Sequence, residues 1–351
     1  MYSVKIYMIK LFSPLYYGVD LSNAMVYAII YSGVIAMDLY KDMSQCILDY
    51  FKENVPHEQY GLVLEQGMHE NPLAKTEEQQ SRHKAAKLLH VFLNYDNRCI
   101  KPIPRKVYYS KALEKGLANE YTNYKPVVDE IAKKLRSGQS VLDRLSKKMK
   151  DILYEDGMLN DWRLYHFHLG ESVENDFCQR TGELLIGFIP IHKNDMYFLK
   201  IIPDHRGNAV FADKELIEII QDNWPELLDT FRLKCASLEY DLSSQQQYKM
   251  RKARVTTPVQ IGDSVYVGPG LGITTAGTSL QVQLKSNRII NWLTSSISIC
   301  RDLMREYVPE QIPQCLNFHL ELDVNKRIFV IIPNRNVTSP KIRQLKNFCH
   351  F

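Results

Sequence analysis

DWRLYHFHLGESVENDFCQRTGELLIGFIPIHKNDMYFLKIIPDH, residues 161–205, decides how this chain is read. Three runs inside it, RLYHFHL, ELLIGFIPI and MYFLKII, alternate or stay apolar over strand lengths, and Lys193-Asn194-Asp195 supplies a turn between the last two. They predict a strand followed by a β-hairpin, together an antiparallel meander. On the first strand, alternation puts His166 and His168 on one face and Tyr165, Phe167 and Leu169 on the other. The aromatic face is the core side, so both imidazoles are expected to point toward solvent or a cleft. On the last strand, alternation places Lys200 on the side of Met196 and Phe198.

Before this stretch the chain reads as helical. QSRHKAAKLLHVFLNY carries Ala86, Leu89, Val91, Phe92 and Leu93 on a broad apolar stripe at helical spacing. KPVVDEIAKKLRSGQSVLDRLSKKMKDIL predicts two more helices, broken at Ser137-Gly138. CIKPIPRKVYYSKAL holds two prolines and must run extended for part of its length. After the meander, Asp213 is a plausible N-cap for a helix burying Leu216, Ile217, Ile219 and Ile220, and Pro225 suits the first turn of another. SSQQQYKMRKAR, residues 243–254, is polar and basic and reads as a linker or exposed helix.

The last third is strand-rich at VQIGDSVYVGPGLGITTAGTSLQVQL. SNRIINWLTSSISICRDLMREY is an amphipathic helix with Ser286 as its cap, and LNFHLELDVNKRIFVIIP is a hairpin turning at Asn325-Lys326. In it, NFHLEL and RIFVIIP echo HFHL and YFLKIIP, placing His319 on a strand comparable with that of His168. The class expected is α+β: a mainly helical domain over residues 1–155, an α+β domain with the histidine-bearing sheet over 156–242, and a C-terminal α+β domain over 255–351.

Bulk composition excludes several classes. With 45% hydrophobic and 24% charged residues the chain has the make-up of a folded, soluble protein. A net charge of +4 excludes a strongly basic nucleic-acid coat but leaves room for a local basic patch. The seven cysteines are scattered, with no C-x-x-C, so neither a zinc site nor a disulfide frame is signalled and the cytoplasm is the expected compartment. AMVYAIIYSGVIAM, residues 24–37, is uncharged but falls short of the roughly 20 residues a membrane span needs. It reads as a buried helix, and no membrane partner is expected.

Chemistry concentrates in the meander, which holds His166, His168, His192 and His205 with Arg180 and Lys200. Antiparallel pairing would bring imidazoles, a guanidinium and an ammonium toward one end of the sheet. That set suffices to cleave a phosphodiester without a metal. One group takes the proton of a ribose 2′-hydroxyl, another protonates the leaving oxygen, and cations offset charge on the phosphoryl oxygens. Histidine suits the proton roles because it titrates near neutrality, and arginine the charge role through its fork of donors. His166, His168, Arg180, Lys200 and His205 are the catalytic candidates, while His192, beside the turn, is expected to be solvated.

Two other readings compete. A non-catalytic binding or assembly protein would use the same face for a ligand, a protein partner or a second copy. A metal-dependent hydrolase would use the H-x-H pair with His205. However, Glu171 and Glu174 fall at the wrong spacings for the strand motif of cupin barrels. No cofactor is called for: VGPGLGITTAG matches neither nucleotide fingerprint, and its glycines suit a tight turn or bulge. KMRKAR, with Lys147, Lys148 and Lys150, is a solvated basic surface that would also meet nucleic-acid phosphates.

From Asp161 to Ile220 the layout resembles the core of RelE/HigB-like mRNA interferase toxins. The resemblance rests on Arg180 with Leu184-Leu185, the Lys193-Asn194-Asp195 turn, and Leu199 through Ile202 leading to His205, with a helix after them. It covers about 60 of the 351 residues. The H-x-H strand is not part of that family's pattern, and those toxins are small single domains without such long extensions. The resemblance implies a metal-independent endoribonuclease acting on RNA, with Arg180, Lys200 and His205 in the reaction.

Overall fold

A computed structural model describes residues 37–171, 177–191, 193–203, 208–306, 316–334, 345 and 348–351. The membrane-length question at 24–37, and the placement of His192 and His205, therefore lie almost wholly outside the described residues. No described helix is long and apolar enough to cross a membrane.

Among the described residues, helices α1 (Leu39–Asn54), α2 (His57–Met68) and α3 (Glu77–Arg98) come first. Asp38 and Thr76 cap α1 and α3 by accepting from the backbone N–H of Lys41 and Gln79. The proline-bearing stretch gives strand β1 (Val107–Tyr109), then α4 (Lys111–Ala118) and α5 (Lys125–Ser137). Gly138 ends α5 at a φ of 75°, the left-handed cap that costs glycine least. The second helix expected here does not form. Leu142–Arg144 and Lys147–Lys150 are separate 3-10 turns, because Ser140 and Ser146 accept the N–H groups of Leu142 and Lys148 and so compete with a helical ladder. Val141, Leu145, Met149 and Ile152 are buried all the same.

Helix α6 (Gly157–Trp162) turns through Arg163, at a φ of 58°, into β2 (Leu164–His168). With β3 (Leu184–Phe188) and β4 (Met196–Ile202) this is the expected antiparallel meander, and β1 joins its far edge parallel to β4, giving the order β1-β4-β3-β2. One face packs Tyr165, Phe167, Leu185 and Phe198 against Leu113, Val128, Ile131 and Leu135 of α4 and α5. The other packs Leu164, Ile186, Phe188 and Leu199 against Leu216, Ile217 and Ile220 of α7 (Glu215–Asn223). Burial on both faces accounts for the nearly continuous apolar runs of β3 and β4.

The alternation rule fails for Lys200. A bulge opens between the pairs Ile186↔Lys200 and Gly187↔Phe198, with Leu199 as the extra residue. Lys200 is thereby turned away from Phe198 and Met196, onto the row that crosses Ile186 to His166.

Beyond α7, Pro225 opens only 3-10 turns, Pro225–Leu227 and Asp229–Phe231, before β5 (Arg232–Leu233). The segment read as a linker or exposed helix is helix α8 (Ser244–Lys252), started by a reciprocal capping box of Ser243 and Gln246, with Gln247 and Arg251 buried. Strands β6 (Val259–Ile261) and β7 (Ser264–Tyr266) complete a small sheet of order β5-β7-β6. Helix α9 (Leu280–Glu306) starts earlier than expected: Ser279, not Ser286, accepts the N–H of Val282, and Ser286 is buried inside the helix. Strands β8 (Phe318–Asp323), β9 (Ile328–Pro333) and β10 (Phe348–His350) form the last sheet.

The cores cross the boundaries expected near 155 and 255. Met43, Ile47, Phe51, Leu89 and Phe92 of α1 and α3 share one core with Ile289, Leu293, Phe318 and Phe329 of the C-terminal region. Tyr266 of β7 packs into the core beneath the central sheet. The α+β class holds; the segments are interlocked through shared cores.

Candidate active site in a cationic cleft

A cleft of about 810 Å³ opens where α3, residues 146–157, the C-terminal end of β2, α8 and the loop 273–278 meet. Its size lies within the range of small-molecule sites. His166, His168 and Arg180 all line it. On the histidine face of β2, Leu164 is sealed and the surface opens at His166. His166 is half-buried and His168 is 5% exposed. Their ring centroids are 5.9 Å apart and the rings meet edge to face at 79°. His166 also lies 5.8 Å from the ring of Phe211. Arg180 is exposed on the loop into β3.

The other candidates fall elsewhere. Lys200 does not line the cleft: both carboxylate oxygens of Glu215 accept from its ammonium at 2.8 Å on the α7 side. His205 lies outside the described residues. His319, placed by the internal echo, is exposed on β8 and bonded to Glu321 at 3.1 Å, away from this cleft. Among the described residues no group of three or more His, Cys, Asp or Glu side chains stands together as a metal site.

The two basic runs, far apart in sequence, converge here. Lys148 comes from one; Arg251, Lys252 and Arg254 come from the other. Arg251 is structural: its Nε donates to Asp161 Oδ2 at 2.9 Å and its guanidinium lies 4.9 Å from the Trp162 ring. Among the described residues Lys148, Arg180, Lys252 and Arg254 form no salt bridge, so their charge is available to the cleft. Arg98, buried behind His166, donates to the carbonyls of Tyr154 and Ile152. A hollow of about 20 Å³ beside His166, bounded by Arg98, Tyr154 and Asp156, has room for about one water.

Sequence reasoning missed Glu155, His90, Asn94 and Asn160, which line the same cleft. Glu155 Oε1 accepts from Asn94 Nδ2 at 3.1 Å and Oε2 from Asn160 Nδ2 at 2.7 Å. Burial pushes its pKa up to about 7, against the pull of these bonds and of Arg98. His90 is held below its ordinary value by burial and by Lys87, and its ring nitrogens have no hydrogen-bond partner among the described residues. No local signal marks Glu155, since YEDG reads as an acidic turn. Only the packing of α3 and α6 around it makes it unusual. The chain matches no family model, no curated protein and no solved structure.

Proposed function

We propose that the chain is a metal-independent endoribonuclease, toxin-like in its chemistry, that cleaves RNA in this cleft. The observation that carries the reading is the convergence of His166, His168 and Arg180 on one cavity whose walls add Lys148, Lys252 and Arg254. An imidazole of the H-x-H pair takes the 2′-hydroxyl proton, and Arg180 offsets the charge that grows on the phosphoryl oxygens. The remaining cations hold neighbouring phosphates. His205, three residues past β4, stays a candidate for the same site, whereas Lys200, held by Glu215, takes no part.

The test is to incubate purified protein with RNA, with and without chelator. Cleavage that survives chelation is expected, with products ending in a cyclic phosphate. His166→Ala and His168→Ala should each lower the rate by roughly 100-fold or more while melting stays close to wild type. Undiminished cleavage in both variants and in Arg180→Ala would remove the reading. RNA that is bound but never cut would leave the cleft a binding surface. Activity lost to chelator and restored by a transition metal would point to a metal-dependent hydrolase.

A further inference from the structure

Cleaving an RNA phosphodiester moves two protons at opposite ends of one axis. The 2′-oxygen attacks and the 5′-oxygen departs roughly in line, so the group that accepts the first proton and the group that delivers the second approach from different sides of the phosphorus. His166 and His168 stand on one face of one strand, with ring centroids 5.9 Å apart. Together they reach a bound phosphate from a single side. Another wall of the cleft must supply the partner.

Glu155 lines the same cleft from outside β2, on the segment that leads into α6. Its carboxyl group is fixed from two elements, by Asn94 of α3 at 3.1 Å and Asn160 of α6 at 2.7 Å. Both donors are neutral amides, so no ion pair locks the group as a carboxylate. Asn94 is itself aimed by donating to the carbonyl of Tyr154 at 3.2 Å. The charged groups around Glu155 are Arg98 from α3 and Asp156 beside it, with the backbone N–H of Ser279 facing it from the start of α9. Arg251 of α8 and His90 of α3 line the cleft with it. Burial outweighs the Arg98 attraction, and a pKa of about 7 leaves much of the group protonated near neutrality. Burial and Lys87 hold the His90 imidazole below its ordinary value, which disfavours the imidazolium form an acid needs.

We propose that Glu155 is the general acid of this cleft, paired with the imidazoles of His166 and His168, an assignment that rests on the ribonuclease reading. In the step, an imidazole takes the 2′-hydroxyl proton as the 2′-oxygen bonds to phosphorus. The bond from phosphorus to the 5′-oxygen breaks, its electron pair stays on that oxygen, and the carboxyl proton of Glu155 is delivered there. The products are a 2′,3′-cyclic phosphate and a 5′-hydroxyl, with the enzyme left as imidazolium and carboxylate until water re-equilibrates the proton. Asn94 and Asn160 are positioning residues.

The deciding experiment compares a dinucleotide RNA with the same nucleoside carrying a 3′-(p-nitrophenyl phosphate), whose leaving group needs no proton. For wild type, turnover of RNA should fall about tenfold per pH unit above about 7, while turnover of the activated ester should show no such limb. Glu155→Gln should lose roughly 100-fold or more on RNA, less than about threefold on the ester, and keep its RNA affinity. Equal losses on both substrates, or undiminished RNA cleavage, would overturn the assignment and leave the ribonuclease reading intact. If Glu155→Gln fails to fold, the wild-type profiles decide alone: an alkaline limb on both substrates, or on neither, rejects Glu155 as the acid. Wild-type protein that cleaves neither substrate overturns the ribonuclease reading, and this assignment with it.

Discussion

Arg251, which lines the cleft, is 8% exposed, its partner Asp161 is 3% exposed, and the two meet through a single carboxylate oxygen. Burial holds the Asp161 carboxyl above the usual range despite the guanidinium beside it. Such a pair is costly to break from one side only, because the survivor stays buried without its counter-charge. Arg251→Met should therefore destabilise the protein by about 3–5 kcal/mol. Adding Asp161→Asn should recover a large part of that loss, so the cycle measured by urea unfolding should show strong coupling. Additive losses would mean that Arg251 acts by packing on Trp162 rather than by pairing. A basic side chain in a polar run was readable as surface. Its burial was not, because the acid it serves lies 90 residues away.

Elements were legible wherever their own pattern closed locally, as in α3, α5, α7 and the two hairpins. They were misread wherever side chains took over backbone hydrogen bonds, as at Ser140 and Ser146, or where a bulge broke the alternation, as at Leu199. The glycine-rich loop shows what such a segment is for. Gly270 donates to the Asp161 carbonyl at 3.1 Å and Gly272 to that of Asn160 at 2.9 Å, so the loop lies against the backbone of α6. A Cβ on Gly268 would sit 2.2 Å from the Asp161 carbonyl oxygen, and one on Gly270 would sit 2.4 Å from that of Asn160. Neither backbone can yield without moving the other. Gly270→Ala should cost about 1–3 kcal/mol or more, and it should displace Asn160 with it. Gly61, inside α2 with nothing within 4 Å, is the control: Gly61→Ala should stabilise by about 0.5–1 kcal/mol. Thermal melts of the two variants should move in opposite directions. A Gly270→Ala protein as stable as wild type would show that the loop does not press on α6.

For the whole molecule, the cleft is a product of interlocked regions. Its cations arrive from residue 148, from residue 180, and from residues 252 and 254, on three separate segments of the chain. Charge assembled this way acts on a polyanion as one field, and displaced counterions make binding salt-dependent. RNA affinity should fall steeply with ionic strength. Replacing both Lys252 and Arg254 with Gln should reduce the slope of log K against log salt by about 1.4, the share of two phosphate contacts on a single strand. An unchanged slope in a filter-binding titration would place the RNA elsewhere on the surface.

By itself, the order of apolar and polar residues determined the α+β class, the meander, and the common face of His166 and His168. Each of these follows from periodicities of two or 3.6 residues that operate within one element. Only the tertiary structure decided that His166 keeps an opening on that face while His168 is closed over, that Arg180 lines the same cleft while Lys200 is bound to Glu215, and that Glu155 is half-buried between two asparagines. Those outcomes depend on contacts between residues tens to hundreds apart and on the dielectric they create. No local pattern encodes either.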